Sequence, residues 1–256
     1  MSIKHTARKW LNSLGWNVTR FDPLHSEALR LVRQLQIHKA DIVFDIGANT
    51  GQFAQKLGDA GFSGRLVSFE AASAAHEALK KKAARTKNWI VAPQMALGDS
   101  NGTISLNIAA NSASSSVLPM LSSHVNADPK SRYIGTETVQ LRTLDSLAAE
   151  YISSDDRIFI KLDVQGFEYN VLRGANSLLE NVVGLQAELS LVPLYDGEHL
   201  FEPMWQNLND RGFELWSLIP GLIDPKSGRL LQLDAVFFRN KSRQDSALEA
   251  CHSTLN

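Results

Sequence analysis

Short continuous apolar runs alternate along this chain with stretches in which apolar residues return every three or four positions. The first pattern reads as buried strands of a parallel sheet, the second as amphipathic helices laid over it. Ile42 to Ile46 is the first such strand; it stops at Gly47, and Phe53, Ala54 and Leu57 then recur at helical spacing, with Thr50 as the cap. Gly64 to Glu70 is a second strand, Ser73 to Ala84 a second helix, and Trp89 to Ala92 a third strand. Ser100-Asn-Gly102 is a hairpin signal between Ala96-Leu-Gly-Asp99 and the alternating run Thr103 to Ile108, an extra strand. Thr136 to Arg142 alternates too, and Thr143 caps a short helix through Tyr151. Arg157 to Asp163 and Gly184 to Ser190 are further strands, with a helix carrying Tyr169, Val171, Leu172, Ala175 and Leu178 between them. A helix around Met204 to Leu208 precedes two last strands, Gly212 to Ile219 and Leu231 to Phe238, which fit an antiparallel hairpin on the edge of a parallel sheet.

The remaining segments frame this α/β core. Residues 1–40 form a helical cap with stripes at Ala7, Trp10, Leu11, Leu14 and at Ala28, Leu29, Leu31, Val32, Leu35, interrupted by Gly15. Residues 41–240 are the sheet domain. Within it, 111–135 loses periodicity but keeps Val117, Leu118, Met120 and Leu121, which reads as a lid that shapes a substrate site. Residues 241–256 are polar and read as a flexible tail.

Composition narrows the function. The 256 residues carry a net charge of -1, which exerts no long-range pull on nucleic acid or anionic lipid. No apolar run reaches the roughly 20 residues of a membrane helix. No signal-peptide core follows Met1, and the single Cys251 supports neither a disulfide nor a thiolate metal site. The expectation is a cytoplasmic protein without membrane or nucleic-acid partners.

The chemistry concentrates at Asp41-Ile-Val-Phe-Asp-Ile-Gly-Ala-Asn-Thr-Gly51. Strand, glycine turn and helix bring backbone N–H groups to a ligand at the carboxyl edge of the sheet. Asn49 breaks the dinucleotide fingerprint, and no Lys follows Gly51 as a phosphate loop requires. Asp45 beside the turn repels a pyrophosphate and suits a cation, such as the sulfonium and ammonium of S-adenosylmethionine. Glu70 ends the second strand about 20 to 25 residues on, where such folds place a carboxylate on ribose hydroxyls. Asp99 is a candidate for an adenine amino group or, equally, a turn former. Asp163 and Glu188 sit at neighbouring strand tips, where they can orient a hydroxyl, accept its proton or share a divalent cation. His124 in the lid is an alternate base, against the plainer reading of a surface histidine.

The chain resembles the FkbM family of S-adenosylmethionine-dependent methyltransferases. The residues that carry the resemblance are Phe44 to Phe53, Ser68-Phe-Glu70, Ala96 to Asp99, Ser114 to Val117, Ile160 to Glu168 and Val171 to Ala175, within a match from about Asp41 to Phe238. The family commonly has Glu where Gln165 stands, and no role is carried over to that side chain. The resemblance implies a Rossmann-like class I methyltransferase fold, with a mostly parallel seven-stranded sheet, an antiparallel edge strand and helices on both faces. It implies methyl transfer to a hydroxyl oxygen of a small molecule or sugar. Asp45, Gly47, Asn49, Gly51, Glu70 and Asp99 are then the cofactor candidates, and Asp163, Glu188 and His124 the catalytic ones. Three rivals share part of the pattern. An NAD-dependent oxidoreductase lacks its third glycine here, a nucleic-acid methyltransferase wants a basic face that the charge balance does not supply, and a cofactor-binding scaffold has no need of acids at 163 and 188.

Overall fold

A computed structural model describes residues 9–15 and 25–240 of the chain. Its strands are β1 (Ile42–Ile46), β2 (Arg65–Phe69), β3 (Trp89–Val91), β4 (Ala96–Leu97), β5 (Gly102–Ala109), β6 (Tyr133–Arg142), β7 (Ile158–Leu162), β8 (Val182–Ser190), β9 (Phe213–Pro220) and β10 (Gln232–Arg239). The helices of the core domain are α1 (Glu27–Ile37), α2 (Gln52–Asp59), α3 (Ser73–Ala83), α4 (Ser122–Ala127), α5 (Leu144–Leu147), α6 (Glu168–Arg173) and α7 (Phe201–Asp210). Residues 9–13 are also helical, and Gly15 follows with φ +82°, the stop expected there. Ala7 and the tail 241–256 lie outside the described residues.

Seven strands form one sheet in the order β3-β2-β1-β7-β8-β10-β9. The first five run parallel. Of the closing hairpin, β10 inserts between β8 and β9 and is antiparallel to both. This is the Rossmann-like layout expected from the strand–helix alternation. Every residue of β1 and of β7 is buried, which is why those strands read as short apolar runs broken only by Asp45 and Lys161.

Alternate residues of these strands pack against different helices. Phe44, Ile46, Ile160 and Leu162 face a core built with α5, α6 and α7, where Phe44 and Phe69 meet edge-on at 5.7 Å. Val43, Phe159 and Val236 face α1, α2 and α3 through Leu31, Leu35, Leu57 and Leu79. Helix α1 is therefore part of the core, and its apolar stripe covers the sheet. Each large apolar side chain so buried contributes about 1.5–3 kcal/mol.

Three local expectations need correction. Thr50 does not cap α2; Gly51 holds that position in the left-handed region, after a left-handed Asn49. The Ser100-Asn-Gly102 turn does not join paired strands, because β6 lies between β4 and β5 in a separate three-stranded sheet. Segment 111–135 is more ordered than a loop: it contains α4 and a 3-10 turn, Pro129–Ser131, and β6 already starts at Tyr133. Its Val117, Leu118 and Met120 pack against small clusters around Phe167 and Tyr195.

Candidate active site

The carboxyl ends of β1, β2, β7 and β8 open into a cleft of two joined compartments. The larger, about 310 Å³, is lined by Asp163, Gln165, Glu188, Asp234, Phe53 and Glu27 among others. The smaller, about 60 Å³, is an apolar slot between Met95, Leu97, Leu106, Val117 and Phe167, with Glu70 at its wall. Gly47, Asn49, Ala113 and Asp163 border both.

The glycine turn shapes the border. Gly47 adopts φ +74°, and a Cβ there would lie 1.8 Å from the Asp163 carbonyl oxygen, so only glycine lets the tips of β1 and β7 meet. Gly51, at φ +81°, has its α-carbon against the Trp89 ring, 2.6 Å from where a Cβ would stand. It lines neither compartment. It packs the turn on β3 through Trp89. The Asn49 backbone N–H donates to Glu70 Oε2 and the Ala72 N–H to Oε1, both at 2.7 Å. These bonds aim the Glu70 carboxylate at the slot. Burial pushes Glu70 upward, and the two N–H donors oppose that shift.

Below the larger compartment a polar row crosses the buried sheet. Ser68, Asp45, Lys161 and Gln186 are neighbours in register on β2, β1, β7 and β8, and all are buried. Lys161 Nζ lies 3.0 Å from Asp163 Oδ2, 3.4 Å from the Gly47 carbonyl oxygen and 3.6 Å from Asp45 Oδ1. Asp45 Oδ1 accepts no hydrogen bond, and Ser68 donates to Oδ2 at 3.3 Å. Burial raises Asp45 above the usual carboxylate range although Lys161 pulls the other way. Burial alone would lower Lys161, but Asp163 and Asp45 outweigh it and keep the ammonium charged.

The acids above this row divide. Burial would raise Asp163, but the Lys161 ammonium and the Gln165 amide hold it below the usual carboxylate range. Glu188 is driven well above it, by burial and then by the Asp163 charge. Asp234, opposite Glu188 across the β8–β10 pair, is raised by the same two causes. The two neighbouring carboxyls are thus pushed in opposite directions, Asp163 toward its ionised form and Glu188 toward its protonated one. Gln165 Nε2 donates to Asp163 Oδ1 at 2.8 Å and also to Glu188 Oε2.

Two expected participants lie elsewhere. Asp99 is outside both compartments; it pairs with Arg173 at 3.3 Å and accepts from Asn170 Nδ2 at 3.3 Å, because the chain after β4 passes over α6. His124 is buried beside the cleft wall, edge-on to Tyr195 at 5.1 Å, and burial lowers its pKa. It lines neither compartment. Among the described residues, no group of three or more His, Cys, Asp or Glu is arranged to hold a metal ion. Nor is any helix among them long and apolar enough to cross a membrane.

Sequence reasoning missed Lys161, Gln186 and Asp234. The signal was present: a lysine inside the apolar run Ile158-Phe-Ile-Lys-Leu162 needs a buried counter-charge, and Asp45 was already expected on a central strand.

A family model described as the methyltransferase FkbM domain matches residues 45–215. No curated protein sequence matches the chain. Similar solved structures include methyltransferase FkbM from Methylobacillus flagellatus (TM-score 0.46, 15% identity, 77% of this chain and 43% of that one). Another is magnesium protoporphyrin IX methyltransferase from Synechocystis with bound SAM (0.44, 12%, 94% and 98%). A third is a putative RNA methyltransferase from Pyrococcus horikoshii (0.44, 13%, 84% and 83%).

Proposed function

The chain belongs to the FkbM methyltransferase family, and we propose that it moves a methyl group from S-adenosylmethionine to a hydroxyl oxygen of a small molecule or sugar. The observation that carries this reading is the pair of unlike compartments joined at Gly47, Asn49 and Asp163. The apolar slot fits an adenine ring. Each Glu70 oxygen holds one backbone N–H and has a second lone pair for a ribose hydroxyl. The border of the larger compartment at Gly47 and Asn49 suits the methionine part, with Asp45 buried beneath it beside Lys161. When bound, S-adenosylmethionine supplies an electrophilic methyl group on sulfur.

Asp163 accepts a hydrogen bond from the acceptor hydroxyl and holds its oxygen in line. A carboxylate kept ionised by Lys161 is a weak base toward an alcohol, so orientation is its larger contribution. Burial and the Asp163 charge push Glu188 toward its protonated form, which disfavours a second full negative charge at the site. Net charge -1 and acids around the mouth favour an uncharged acceptor over a phosphate backbone.

The test is incubation with methyl-labelled S-adenosylmethionine, with and without EDTA, against hydroxylated small molecules, sugars and RNA. Label is expected as an ether on a hydroxylated small molecule or sugar, with turnover reduced about 10²–10⁴-fold in Asp163→Asn. Label only on RNA or on nitrogen contradicts the reading, and EDTA sensitivity reads metal dependence directly.

A further inference from the structure

Gln165 links the strand-tip acids to the lid segment and to Tyr195. Its backbone is left-handed, with φ +56°, and its carbonyl oxygen accepts from Ser116 Oγ of the lid segment at 2.6 Å. Its Oε1 accepts from the Tyr195 hydroxyl at 2.6 Å, while its Nε2 reaches both Asp163 and Glu188. The chemistry at the two ends fixes which way the amide points. Asp163 is an acceptor only and needs a donor, which the amide nitrogen supplies; that leaves Oε1 to accept from the Tyr195 hydroxyl, which also lies 3.3 Å from the Ser114 carbonyl oxygen. Tyr195 is itself immobile, being 1% exposed and packed against His124. Gly166 permits this closeness, since even a methyl there would stand 3.1 Å from the Tyr195 side chain.

We propose that Gln165 is a positioning residue: held in one orientation by Tyr195, its amide ties Asp163 to Glu188 and fixes the direction in which Asp163 meets the acceptor hydroxyl. The proposal rests on the methyl-transfer reading, and it gives a role to the position where the family commonly carries Glu. A third carboxylate there would meet two others across the same hydrogen-bond distances. The amide instead offers both neighbours a neutral donor, so the pair binds one proton between them without a further like charge. The charged and titratable groups facing the pair are Lys161 on β7, Asp45 on β1, Asp234 on β10 and Glu168 on α6, with Tyr195 behind the amide.

The experiment follows the Asp163 and Glu188 carboxyl carbons by NMR titration of the full chain labelled at Asp and Glu carboxyls. Assignments come from Asp163→Asn and Glu188→Gln. Gln165→Met keeps the length of the side chain and removes the donor; Tyr195→Phe keeps the ring and frees the amide to turn. The Asp163 midpoint is expected to rise by about one pH unit in Gln165→Met and by less, in the same direction, in Tyr195→Phe. Gln165→Glu should raise it further than Gln165→Met. A purely structural role would lower thermal stability while leaving these midpoints in place. Midpoints unchanged in both Gln165→Met and Tyr195→Phe overturn the proposal, and Tyr195→Phe decides alone if Gln165→Met does not fold. The titration needs no cofactor. Failure of the unaltered chain to bind S-adenosylhomocysteine, measured alongside, counts only against the methyl-transfer reading.

Discussion

The two faces of the main sheet are made by alternate residues of the same strands, yet they obey different rules. Toward α5, α6 and α7, β1 presents Ile42, Phe44 and Ile46, and β7 presents Ile158, Ile160 and Leu162, without a polar atom among them. Toward α1, α2 and α3, the same strands present Val43 and Phe159 and then Asp45 and Lys161, which continue into Ser68 and Gln186. An ion pair in that position is a poor way to gain stability, because desolvation consumes most of the attraction. A buried polar row directly under a cleft is a device for setting charge at the strand tips. One face holds the sheet together, and the other prepares the site.

That contrast can be broken from either side. Phe44→Ala should cost about 4 kcal/mol of unfolding free energy, the usual range for a buried aromatic truncated to a cavity. Its effect should be on stability, and denaturant unfolding measures it; a loss under 1 kcal/mol would show that this face is not the structural one. Lys161→Met should cost about 3 kcal/mol, because the buried Asp45 loses its counter-charge. Adding Asp45→Asn should recover part of that loss, and a double variant no better than the single would refute the pairing.

A smaller effect sharpens the comparison at the cleft end. Glu168 on α6 is pushed by burial to about 8 from an ordinary 4.5, against N–H bonds from Val164 at 2.9 Å and Gly166 at 3.3 Å. The folded state then holds this proton more tightly than the unfolded chain. Its stabilising contribution is complete below about 4.5 and is lost as pH rises through about 8. Thermal unfolding across pH 4 to 9 should show that decline, and Glu168→Gln should flatten it. Superimposable profiles would contradict the assignment.

How much of this was legible in the sequence follows from the same two faces. Strands β1, β7 and β8 were readable because both sides are covered, which leaves short, mostly apolar runs broken by few polar residues such as Asp45, Lys161 and Gln186. The pairing of β4, β5 and β6 was not, since an alternating pattern states that a face is half buried and says nothing of which strand lies beside it. At the site, strand-tip acids were readable by position: Glu70 and Asp163 both border the cleft. Asp99 fits the same rule and fails it, because the chain after β4 turns its carboxylate toward Arg173, a contact between residues 74 positions apart. His124 looked exposed because α4 is too short to show a period; it is buried by Tyr195 from a distant segment.

The most direct test of the central claim is calorimetric titration of the purified chain with S-adenosylmethionine, S-adenosylhomocysteine and NAD, with Glu70→Ala in parallel. The account predicts micromolar binding of both sulfur compounds and none of NAD, weakened by about 1–3 kcal/mol when Glu70 is removed. Tight NAD binding, or affinity for S-adenosylmethionine unchanged in Glu70→Ala, would contradict it.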